Sequence, residues 1–168
     1  YGAKWTGTDI SENQIMYAEK LSKSAGMDID YIVASAEAVD YPDRTFDVIT
    51  ACQCFMYFDK SIVLPKLHQM LKDHGHFAIL FMAWLPEESE IAKTSEDLVL
   101  KYNPAWTGGR VTRYELQEPP WCEGMFKAAN MLTYELPVHF TRESWHGRMK
   151  ACRGIGASGL KESEIQKW

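Results

Sequence analysis

The chain has 168 residues, a length that fits one domain of ordinary size able to bury a core. Its 46% hydrophobic and 24% charged residues exclude a disordered chain, and a formal net charge of −5 argues against a general nucleic-acid binder, which needs clustered Lys and Arg. No apolar run approaches the roughly 20 residues of a membrane span, and the four cysteines do not form a dense disulfide framework, so a reducing, cytoplasmic setting is the expectation.

The run Trp5-Thr6-Gly7-Thr8-Asp9-Ile10-Ser11 reads as a short strand ending in an acid. A carboxylate at the carboxyl end of a strand is where doubly wound α/β proteins hold a ribose diol, because it accepts two hydrogen bonds. Asp9 also has a plainer reading, as an acid favoured by the dipole at a helix start. Ser11 can cap that helix with Gln14 at capping-box spacing, Ile15, Ala18, Leu21 and Ala25 recur on one face, and Gly26 ends it. Residues 30–34 form a second strand, with Ser35-Ala36-Glu37 at its carboxyl end. After the turn-rich residues 40–44, the continuous apolar run from Phe46 to Cys52 predicts a central parallel strand.

Residues 61–72 give an amphipathic helix with Ile62, Leu64, Leu67 and Leu71 inward, stopped by Asp73-His74-Gly75-His76, and residues 77–83 give the next strand. This order predicts a parallel sheet with crossover helices. From residue 85 the rhythm changes. Residues 86–123 are rich in acids, Pro, Gly and aromatics, including Tyr102, Trp106, Tyr114 and Trp121, which reads as a lid or binding insert. Alternation over 131–136 predicts a returning strand, and Thr141 caps a final helix running towards Cys152.

Cys52 and Cys54 share one strand face, but two ligands without two more make a poor zinc signature, and no metal is expected. Arg110, Arg113, Arg142, Arg148 and Arg153 concentrate positive charge in the second half. They suit either an anionic acceptor or salt bridges to nearby Glu residues.

In order and spacing, Gly7-Thr8-Asp9-Ile10-Ser11 with Met16, Ser35-Ala36-Glu37-Ala38, the run from Tyr41-Pro42-Asp43-Arg44 to Asp47-Val48-Ile49, and Leu71-Lys72-Asp73-His74-Gly75-His76 resemble the class I S-adenosylmethionine-dependent methyltransferases, in particular the methyltransferase type 11 or UbiE-like group. The resemblance covers residues 5–83. It implies an α/β fold, a Rossmann-like three-layer sandwich with a mostly parallel sheet. The whole of 1–168 would be a single domain with a substrate insert at 85–137, lacking its first strand and Gly-rich loop and cut short at the back.

The resemblance also implies site residues. Asp9 would bind the ribose of S-adenosylmethionine and Ile10 would pack on its adenine, with Ala36 reading the adenine edge through its backbone and Glu37 beside it. Ser35 stands where many relatives carry Asp. Cys52 and Gln53 would lie next to the methionine part of the cofactor, and His139 and Tyr57 are the candidates on the acceptor side. The expected partners are a small-molecule methyl acceptor and a second copy in a homodimer, with neither nucleic acid nor membrane. Two other readings stay open: an NAD(P)-dependent Rossmann oxidoreductase, against which stands the absence of a Tyr-x-x-x-Lys motif, and a non-catalytic binding protein of the same fold.

Overall fold

The computed structural model describes residues 2–113, 119–128, 130–156 and 160–165. These divide into two units, one from the front of the chain to Phe81 together with Pro119–Ala128, the other holding the remainder. The second unit begins close to the expected insert boundary at 85. The division differs from one domain with an insert at 85–137, because 119–128 packs with the first unit and the final helix with the second.

In the first unit, β1 (Trp5–Asp9) leads into α1 (Glu12–Ser24) and then β2 (Ile29–Val33), which pairs parallel with β1 from Trp5 opposite Ile29 to Asp9 opposite Val33. Ser11 caps α1 as its spacing predicts, the Gln14 N–H donating to Ser11 Oγ at 3.4 Å. Gly7 is needed for its size: a Cβ there would lie 2.7 Å from the Tyr31 ring across the pair.

The next strand-helix-strand unit is β3 (Phe46–Cys52), α2 (Lys60–Met70) and β4 (Leu71–Leu80), again parallel. The expected helix stop at 73–76 lies instead inside β4, where it forms a bulge. The register jumps from Phe46 opposite Leu71 to Val48 opposite His76, with His74 at a φ of 69°. Gly75 fits this corner because a Cβ would meet the Lys72 carbonyl at 2.9 Å, and Lys72 Nζ holds the neighbouring strand by donating to the Asp47 carboxylate at 2.8 Å.

Both pairings are parallel, as the Rossmann-like α/β fold requires, yet the described strands form two sheets of two strands rather than one continuous sheet. Two clusters make the core of this unit. Ala51, Phe55 and Leu64 gather Phe77, Trp121 and Phe126, and Val63, Leu67 and Met70 gather Ala36, Val39, Tyr41, Phe46 and Ile49. Each fully buried large side chain contributes on the order of 1.5–3 kcal/mol.

The second unit is helical where a lid was expected. Its α3 (Glu90–Tyr102) is capped by Ser89 Oγ, which accepts from the Ala92 N–H at 3.3 Å. It packs through Val99 against Met149, Cys152 and Ile155, with Trp84, Trp106 and Trp145 around them. Met149 belongs to α4 (Arg142–Lys150), capped by Thr141 as predicted. Residues 131–136 join no ladder among the described residues, and the whole stretch 131–140 is exposed. No helix of the described residues is long and apolar enough to cross a membrane.

Candidate cofactor site

The residues singled out in the first unit converge on the carboxyl ends of β1, β2 and β3. The end of β2 is tied to that of β1: the Ala34 N–H donates to the Asp9 carbonyl at 3.0 Å, and Thr8 Oγ1 donates back to the Ala34 carbonyl at 3.1 Å. Asp9 stays exposed, with Oδ1 accepting the Ser11 N–H at 2.8 Å. This bond fixes the carboxylate at the start of α1, so the two sequence readings of Asp9 are compatible in geometry. Ile10, beside it, is 75% exposed, a large apolar side chain with no place in the core.

Residues 35–39 make one tight turn. The Ala38 N–H donates to Ser35 Oγ at 3.3 Å and the Val39 N–H to the Ser35 carbonyl at 3.1 Å. A hydroxyl suffices for that turn, which accounts for Ser35 at this position. Ala36 is half-buried and packs on the Val63, Leu67 and Met70 cluster. Glu37 has structural partners: its Oε1 accepts the Asp59 N–H at 3.0 Å, and this bond, first among its causes, holds the carboxyl below the usual range. Lys66 Nζ reaches from α2 to the carbonyls of Glu37 at 2.7 Å and Val39 at 3.4 Å.

At the end of β3, Gln53 takes a φ of 61° and donates its N–H to the Leu80 carbonyl at 2.9 Å. The left-handed turn leaves Cys52 exposed and Cys54 half-buried. Burial pushes the Cys54 thiol up from its ordinary value, followed by the negative charges of Cys52 and Asp9. Tyr57 closes the following turn, Phe55–Tyr57, and is exposed. His139 belongs to the second unit, exposed on the extended stretch.

Of the other candidates, Arg113 is engaged by Glu88 and Glu135, with bonds of 2.5–2.8 Å that raise its already high pKa. Arg148 stands 5.1 Å over the Trp84 ring. The Trp121 ring lies 5.0 Å from Phe55 and Trp106 packs in the second core, so both serve as packing groups. Tyr114 falls outside the described residues. Sequence reasoning missed Lys66 and Asp59, which hold the loop after β2. A basic residue on a helix and an acid before it carry no signal of a partner so distant in sequence.

A family model described as a methyltransferase domain matches residues 1–79. The demethylmenaquinone methyltransferase of Thermus thermophilus is 28% identical over 80 residues, 47% of this chain and 36% of that protein. The ubiquinone/menaquinone biosynthesis C-methyltransferase UbiE of Escherichia coli is 31% identical over 75 residues, 43% of this chain and 30% of that protein. A solved protein of Pyrococcus horikoshii superposes with a TM-score of 0.44 at 24% identity, over 60% of this chain and 45% of that one. The chain thus aligns with about a third of the length of these curated relatives. Residues 1–79 match a methyltransferase domain and are similar to methyltransferases of the UbiE group.

Proposed function

We propose that this chain contributes the nucleotide-binding part of an enzyme that moves a methyl group from S-adenosylmethionine to a small-molecule acceptor. The observation that carries the reading is the pairing of an exposed carboxylate, Asp9, with an exposed apolar side chain, Ile10, at the end of β1. A diol and a flat apolar ring are what such a pair fits. When bound, the cofactor supplies an electrophilic methyl group on a sulfonium. In-line transfer then asks the protein for alignment and exclusion of water rather than for a nucleophile of its own.

On this reading Asp9 accepts the ribose hydroxyls, Ile10 covers the adenine, and Ala36 and Glu37 flank its edge. Cys52 and Gln53 border the methionine part, and Tyr57 or His139 serves the acceptor. The one-domain organisation with an insert at 85–137 is kept as the functional division. The enzyme would work in the cytoplasm, as a homodimer, without nucleic acid; sedimentation measures the assembly.

Calorimetry with S-adenosylhomocysteine tests the site. Hydrogen bonds to a charged group contribute about 1.5–3 kcal/mol, so Asp9→Ala in the full-length protein weakens binding by roughly 10- to 100-fold. Unchanged affinity in a folded variant removes Asp9 from the site. Binding of NADH in place of S-adenosylhomocysteine would instead favour the oxidoreductase reading.

A further inference from the structure

Two thiols sit one residue apart at the end of β3, and nothing in methyl transfer requires either. Cys52 is exposed and Cys54 half-buried. The residue between them decides whether they can meet. In an extended tripeptide the outer Cα atoms stand about 7 Å apart, beyond what a disulfide spans, while a middle residue in the left-handed region draws them to roughly 5.5 Å. Gln53 has a φ of 61°, and the chain bends there.

Cys122 and Cys152 are both buried.

We propose that Cys52 and Cys54 form a two-electron dithiol/disulfide couple at the carboxyl end of β3. With hydrogen peroxide as oxidant, the exposed Cys52 sulfur attacks one peroxide oxygen: the S–O bond forms as the O–O bond breaks, Cys52 becomes a sulfenic acid, and the departing hydroxide takes the thiol proton and leaves as water. The Cys54 sulfur then displaces the hydroxyl of that sulfenic acid, closing the S–S bond and releasing a second water. The two thiols lose two electrons between them and the peroxide bond takes them up. A dithiol reductant reverses the change.

The test is peptide mapping of the full-length protein after brief treatment with hydrogen peroxide, then alkylation without reductant. The expected product has neither Cys52 nor Cys54 alkylated and the peptide lighter by two hydrogens, with both sites alkylatable again after dithiothreitol. In Cys54→Ser the expected product is a Cys52 sulfenic acid that dimedone traps. Oxidation of Cys52 to sulfinic or sulfonic acid in the wild type with Cys54 still alkylatable overturns the couple, as does a disulfide from either residue to Cys122 or Cys152. The readout needs no cofactor: a protein that binds no S-adenosylhomocysteine yet gives the expected product upholds the couple while the methyltransferase reading falls.

Discussion

Glu96 is 2% exposed on the inner face of α3, and both its oxygens are used: Oε1 accepts the Trp84 indole N–H at 2.6 Å and Oε2 the Arg110 backbone N–H at 2.7 Å. An amide at this position can accept from one donor only and turns its own NH2 towards the other. Glu96→Gln is therefore expected to destabilise the protein by about 1–3 kcal/mol, seen as a lower urea midpoint at unchanged slope. A second expectation at this scale concerns Gly7. Gly7→Val forces the Tyr31 ring off the β1–β2 pair and costs on the order of 1–3 kcal/mol in the same measurement. Glu96 also explains why α3 was not legible. Its buried face runs Ala92, Glu96, Val99, and the acid in the middle breaks the apolar periodicity that marks a helix.

At the scale of elements, α2 carries a chain of caps. Asp59 accepts the Ser61 N–H at 3.0 Å and its hydroxyl at 2.5 Å, while Glu37 accepts the Asp59 N–H. These hydrogen bonds hold both carboxyls below their ordinary values. A group depressed in the folded state adds stability above its unfolded pKa and loses it as pH falls through the folded one. Glu37→Gln combined with Asp59→Asn should thus differ most from the wild type near neutral pH, and the gap in urea midpoint should close below about pH 4. The same scale separates residues 131–140 from β3. Leu132, Tyr134 and Leu136 alternate as a strand would, which is why a strand was expected, but all three are well over half exposed. Their amides should exchange with deuterium far faster than those of β3 in a direct comparison. Alternation in sequence states a preference, and only a partner makes a ladder.

At the scale of the molecule, what was legible is the part whose signals are local. The strand-helix-strand order of residues 5–80, the Ser11 and Thr141 caps and the strand-end acid all follow from neighbours within a few positions. What was not legible depends on distant partners: the grip of Lys66 on the loop after β2, the return of 119–128 to the first unit and the separation of the strands into two pairs. At the site, the placing of Asp9 and of Cys52-Gln53-Cys54 at strand ends was legible from pattern. The left-handed Gln53 was not, since no glycine marks it.

The division into two parallel pairs also sets an order of assembly. The longest reach within either pair is that of Ile49 to Phe77 and its neighbours, so neither has to wait for the end of the chain. On the ribosome, β1, α1 and β2 have every pairing partner once Val33 has emerged, yet in that stretch only Ile15 and Ser22 are buried. Such a piece forms early and persists poorly. It is secured when α2 follows and Lys66 closes on the carbonyls of Glu37 and Val39. Of the two pairs, the one that ends in Asp9 is therefore laid down before the other and is locked only after α2, about thirty residues later, has been made.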